Sequence, residues 1–425
     1  MKRFLLATLV CMVVAVTARA DWAQYLGPNR NAVAPDAELA RSWPDGGPRK
    51  LWSFPLGAGH GGASVQSGEV FVLDRVVNQS DILRCIDFAT GQEKWNFSYE
   101  APGRHSHPGS RSIPTVDDEH VWYVGPFGHF YCISRKTHQP VWSTHILDEF
   151  EAEEPRWGVA QSPLIYRDMV IVAPQGKKGG VVAFDKRTGD LRWASRKLTG
   201  IPCYVSPTLA KIGGIDQIIM ISAGDEDDES VQGEVVSFEA ANGRPLWTYR
   251  DFNTFVNIAP PTVIDGGRFF LTNGSNGGHF DPISIMLKVQ RKGDDFVVNE
   301  LFRTGEVAGK MHPPVLHNGY LYFNGIRKPN GMRCLSLDGK VMWDESPNFQ
   351  LGAFMLADGL ILNQDGKSGD LYLIEPSPNG YKELAKAELF PDKKGEPWAP
   401  LALSDGKLLI RDGEQMVCVD LENPN

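Results

Sequence analysis

Short apolar runs recur along this chain, each cut off by a polar turn of two to four residues. IPTV runs into VDDE and is followed by VWYVG; SPLI runs into YRDM and then VIVAP; PPVL runs into HNGY and then LYFNG. Runs this short, bounded by Asp, Asn and Gly and rich in β-branched and aromatic residues, predict strands joined by tight hairpins. A Pro opens many of them, at Pro114, Pro163, Pro207, Pro261, Pro314 and Pro400. Pro is tolerated at a strand's first residue, where no ladder N–H is needed. Sustained helical periodicity is nearly absent, and only residues 36–42 suggest a turn or two of helix.

A second pattern sits on the first. Gly91–Trp95, Gly189–Trp193, Gly243–Trp247 and Gly339–Trp343 each place a Gly four residues before a Trp, and His138–Trp142 keeps the spacing with His in place of Gly. An apolar strand precedes each pair. The Gly supplies a positive φ in the turn, and the Trp rides on the following strand. Units start near Ser64, Ser112, Ser162, Ser206, Pro260, Pro313, Ala353 and Ala399. Fourth-strand aromatics are expected at Trp52, Trp95, Trp142, Trp193, Trp247, Phe302, Trp343 and Phe390. Four-stranded units at a period of about fifty residues mean a β-propeller. The last unit has three strands, and the orphan RKLWSF at 49–54 supplies its fourth. The expected fold is therefore all-β: an eight-bladed propeller of four-stranded antiparallel blades, closed by an N-terminal strand that completes the last blade.

The first twenty residues read differently. Lys2 and Arg3, an apolar run from Phe4 to Val16 and the small-x-small site Ala18-Arg19-Ala20 form the pattern of a cleaved export signal. The apolar run is too short to span a bilayer. The expected organisation is thus a signal at 1–20, a lead-in segment at 21–48 and the propeller at 49–425, with no transmembrane segment after cleavage and a periplasmic or extracellular location. The whole chain has 425 residues and a net charge of −9, which argues against a nucleic-acid partner. Of the cysteines that remain, Cys85, Cys132, Cys334 and Cys418 share one phase of the third strand, where Ala183 and Ser237 stand in other units. Small residues at one packing position read as core contacts rather than disulfides.

The GxxxW tails on apolar strands resemble the pyrroloquinoline quinone (PQQ)-like propeller repeat, which occurs in quinoprotein alcohol dehydrogenases and in the outer-membrane assembly factor B family. DWAQYLGPNRNAV (21–33), EEPRWGVAQSPLIYRDMVIVAP (153–174) and YVSPTLAKIGGIDQIIM (204–220) are similar to exported bacterial proteins with this repeat. The resemblance implies two functions. One is an exported non-catalytic binding scaffold that presents its funnel and top loops to a protein or small-molecule partner. The other is a PQQ-dependent alcohol or sugar dehydrogenase with quinone and Ca²⁺ in the funnel. The dehydrogenases also imply a disulfide between adjacent cysteines, and this chain has no adjacent Cys pair; Cys203 stands alone. The scaffold is the leading expectation, with no catalytic residue, no resident cofactor and a monomeric state.

In a propeller, the loop entering each first strand shares a face with the loop between the second and third. Pooling these loops collects cations, rings and imidazoles: His60; Arg104, His105, His107 and Arg111; Arg156 and Trp157; Tyr204; Asn257; Lys310 and His312; Trp398; and, from the second set, His279 and Asp281. A concave mouth lined in this way is the default binding site, and its cations favour an anionic or carbonyl-bearing ligand or an acidic peptide. Sharper motifs carry less. His105-x-His107 lacks a third metal ligand. The acidic run 225–229 reads as a solvated loop rather than a Ca²⁺ site, and so does the acidic run 148–154. Gly366-Lys367-Ser368 lacks the upstream Gly and the helix of a phosphate loop.

Overall fold

The structure is a computed structural model and describes residues 21–34, 37–274, 280–325 and 330–422. The export signal lies outside the described residues. Among these residues the strands form eight sheets arranged as the blades of a propeller. Blade 1 runs through Ser64–Gln66, Glu69–Val76, Ser80–Asp87 and Glu93–Glu100, each strand antiparallel to the next. Inner strands are buried on both faces: Val70, Phe71, Val72 and Leu73 pack between neighbouring blades. The fourth strand alternates buried and exposed residues because it lies at the rim. That gradient explains why the inner runs are continuously apolar and the GxxxW tails are not.

Ring closure is as expected. Arg49–Pro55 pairs antiparallel with Gln415–Asp420 and supplies the fourth strand of blade 8. The N-terminus adds a feature that the pattern did not foreshadow. Val33–Ala34 pairs in parallel with Phe354–Ala357, giving blade 7 a fifth strand.

The Gly–Trp spacing has a tertiary cause. The turn Gly of one blade lies against the Trp of the blade before it. A Cβ on Gly91 would fall 2.6 Å from the Trp52 ring; Gly189 bears likewise on Trp142, Gly243 on Trp193 and Gly339 on Phe302. Where His138 replaces Gly, its ring stacks on Trp95 at 4.6 Å. The indole N–H groups of Trp52 and Trp142 donate to the next blade, to the carbonyls of Phe88 and Lys186. In seven blades the third and fourth strands shift register at this aromatic position, a bulge that aims the ring across the seam, and blade 7 keeps the shift with Ala385 at that position. The third-strand cysteines pair directly with these rings: Cys85 with Trp95, Cys132 with Trp142, Cys334 with Trp343 and Cys418 with Trp52. All are buried free thiols, as is Cys203.

Two expectations are corrected. Phe390 is not a fourth-strand aromatic: that strand is Glu383–Ala387, Ala385 occupies the register opposite Leu373, and Phe390 is buried in the loop beyond. The reason is the closure. Blade 8 has no hairpin between its third and fourth strands, so no turn Gly is there to receive a ring from blade 7. Gly47, just ahead of the closing strand, sits against Ala387 instead. The second correction concerns the helix expected at 36–42: residues 37–42 form none, and among the described residues the α-helix is Ile146–Glu149, on the loop after blade 2.

Candidate functional site

The first strands surround the channel, and the segment before them contacts blade after blade at one end of it. Trp22 exchanges backbone hydrogen bonds with Val65 of blade 1, and the Ala23 carbonyl accepts from Val116 of blade 2. Arg30 donates to the carbonyls of Pro163 in blade 3 (3.2 Å) and Pro207 in blade 4 (3.3 Å). Asn29 to Asn31 face the first-strand prolines of blades 4 to 6, Val33–Ala34 pairs with blade 7 and Ala40 donates to Leu421 of blade 8. The segment thus crosses the channel on the side of the first-to-second strand turns.

On the opposite side the channel opens into a cavity of about 230 Å³. Its wall is a chain of rings. Tyr204 stacks on Trp157 at 5.3 Å, Trp157 meets His107 edge-on at 6.2 Å, His107 lies 6.0 Å from Trp398, and Trp398 stacks on His60 at 5.5 Å. Arg111, Lys310 and His312 line the same cavity, and Tyr25 of the N-terminal segment reaches it from below.

The electrostatics are one-sided. Among the described residues no carboxylate lines the cavity. Burial holds the Arg111 guanidinium down at about 10, still charged at neutral pH; its donors reach the carbonyls of Gly109 and His107. Burial also lowers Lys310, which has no hydrogen bond or ion pair among the described residues. His312 is pushed down to about 4 by burial. His60 is pushed down to about 3 by burial and by the nearby charges of Arg111 and Arg411. Both imidazoles are neutral at pH 7, and among the described residues the buried His60 Nδ1 and His312 Nε2 have no hydrogen-bond partner.

Of the pooled candidates, His60, His107, Arg111, Trp157, Tyr204, Lys310, His312 and Trp398 converge on this cavity. The others do not. His105 is buried elsewhere, with Nε2 2.6 Å from Glu154 and its ring stacked on Phe127, so the His-x-His pair is split between two environments. Arg104 is exposed. Arg156 pairs with Glu226 at 2.8 Å and lies over the Trp157 ring at the rim. Asn257 is spent on the fold, bonding Ser222, Thr254 and Asn273. Asp281 is exposed and does not line the cavity, and His279 lies outside the described residues. Pooling by loop also missed Tyr25, because it sits in the lead-in segment rather than in a blade.

The fit to the cofactor pair implied by the fold divides in two. Cations and indoles suit a planar ring bearing carboxylates. Ca²⁺ takes six to eight oxygen ligands, several of them carboxylate, and the cavity offers none; among the described residues no group of three or more His, Cys, Asp or Glu side chains is placed to hold a metal. No helix of the described residues is long and apolar enough to cross a membrane.

Fold and channel define a PQQ-repeat β-propeller. The chain belongs to the family described as outer membrane protein assembly factor BamB, whose model matches residues 79–345. No curated protein matches it. Solved structures with the same fold include BamB from Moraxella catarrhalis (13% identity, covering 89% of this chain and 99% of that one, TM-score 0.57). A europium-containing methanol dehydrogenase is also similar (13%, 94% and 89%, TM-score 0.65). So is the quinohemoprotein alcohol dehydrogenase ADHIIG from Pseudomonas putida HK5 (12%, 96% and 81%, TM-score 0.63).

Proposed function

We propose that this protein is an exported binding propeller that holds a small planar anion in its channel cavity. The observation that carries the reading is the lining: Arg111 and Lys310 stand among the Trp157, Trp398 and Tyr204 rings with no opposing carboxylate. A flat anion gains ring contact and charge-assisted hydrogen bonds in one place. The neutral imidazoles of His60 and His312 add polar contacts without repelling or attracting charge. The reading assigns no chemical step.

The second reading, a quinone-dependent dehydrogenase, draws on the same cavity, since PQQ is a planar tricarboxylate. When bound, a quinone would supply two-electron oxidation. Arg111 and Lys310 would hold its carboxylates, and Trp157 or Trp398 would lie against its ring. Calorimetric titration of the chain from Asp21 onward separates the two. PQQ and trimesate, a planar tricarboxylate without a quinone, are each added with and without Ca²⁺. The binding reading expects both to bind independently of Ca²⁺, with Arg111→Ala and Lys310→Ala each weakening affinity about tenfold. Binding of PQQ alone, and only with Ca²⁺, favours the dehydrogenase. Failure of both ligands at millimolar concentration removes the anion-binding reading.

A further inference from the structure

We propose that the N-terminal segment 21–34 is a stopper that turns the propeller channel into a pocket with one mouth, and that Tyr25 is its ligand-facing floor. The inference rests on the anion-pocket reading for its ligand, but the stopper itself stands on separate geometry.

The segment is held as a plug would be. Trp22, Leu26 and Ala32 are almost completely buried, and Tyr25 is 8% exposed although it is only a few residues from the expected cleavage site. The backbone is tightly coiled: Leu26, Arg30 and Ala32 adopt φ values of 60°, 51° and 55°, in the left-handed region that side chains other than Gly avoid. Gly27 turns at φ 77° directly under the Trp22 ring, where a Cβ would come within 2.6 Å. Strain of this kind persists only where surrounding contacts over-determine it. Arg30 is the clamp. Its guanidinium spans the carbonyls of Pro163 and Pro207 on adjacent blades and lies 5.7 Å over the Tyr25 ring. Tyr25 in turn lines both the cavity above and the narrow space against the first-strand prolines.

Two consequences follow. Ligands enter from the face that carries Trp157, Lys310 and Trp398. Ligand contact with Tyr25 also favours the docked segment, so docking and binding strengthen each other by the same factor.

The test uses the chain from Asp21 with trimesate as probe, and compares it with Arg30→Ala, which removes the clamp and leaves every residue at the mouth in place. Hydrogen exchange of the ligand-free chain comes first. The expected result is slow exchange at Trp22, Val65 and Leu356, whose amides are bonded between the segment and blades 1 and 7. Exchange there at unprotected rates overturns the stopper whether or not any ligand binds. Arg30→Ala is expected to speed that exchange at least tenfold and to weaken trimesate by about fivefold or more. Faster exchange with unchanged affinity overturns the floor role of Tyr25. Should Arg30→Ala fail to fold, Tyr25→Phe and Tyr25→Ala replace it: graded loss of affinity from Phe to Ala supports the floor, and equal affinity in both overturns it. Failure of trimesate to bind the intact chain removes the anion reading and, with it, the floor role, while the exchange result still decides the stopper.

Discussion

Single residues at the blade seams carry opposite demands. Gly91 needs φ 72° and has no room for a Cβ beside Trp52, so Gly91→Ala meets both backbone strain and overpacking. Urea unfolding should show a loss of about 2–4 kcal/mol. His138 holds the same turn position at φ 59° but stacks on Trp95. His138→Gly relieves the backbone and loses the stack, and these terms are of similar size, so stability should stay within about 1 kcal/mol of the parent. A large loss in His138→Gly would mean that the stack outweighs the strained turn. The repeat spacing thus records a contact between blades as well as a turn within one.

At the scale of elements, the closing strand joins blade 8 without a covalent hairpin. Arg49–Pro55 holds blade 8 through its ladder with Gln415–Asp420, and Trp52 then crosses to blade 1. Trp52→Ala removes a buried indole and its bond to Phe88, and should cost about 3–5 kcal/mol. An opened ring exposes the edge of Gln415–Asp420 to other chains. Size-exclusion chromatography should therefore show concentration-dependent association in Trp52→Ala; a destabilised variant that stays monomeric at all concentrations would mean that the closing strand remains docked without its Trp.

For the whole molecule, buried neutral imidazoles set a pH response. His60 and His312 titrate near 3 and 4 in the folded chain, against 6.5 for a free imidazole. Above pH 6.5 they are neutral in both states and contribute no pH dependence. As the pH falls below 6.5 the unfolded chain takes up protons that the folded chain refuses, and stability declines. At pH 4 His312 alone should account for a loss of about 3 kcal/mol. Unfolding curves between pH 7 and 4 should flatten in His312→Gln relative to the parent; parallel curves would show that His312 titrates normally in the folded state.

The four strands of each repeat, the eight blades and the closing strand were legible in the sequence, because each blade repeats the same local demands, whereas the fifth strand of blade 7 lies outside the repeat. A Pro is tolerated where a strand begins, a Gly is needed where a turn requires positive φ, and apolar runs are needed where both sheet faces are covered. Phe390 was misplaced for the complementary reason: its spacing imitates the repeat, but the absence of a covalent hairpin in blade 8 removes the contact that a seam aromatic serves. The site was legible only as a pool of loop residues. His105 and His107 are two positions apart in sequence, yet one is buried against Phe127 and the other faces the cavity. Trp157 and Trp398 lie far apart in sequence and share one wall through His107. Sequence determined the blades, because strand and turn chemistry is local. Tertiary structure alone decided which loop side chains meet over the channel and that the N-terminal segment floors it, because those contacts join blades that no local pattern relates.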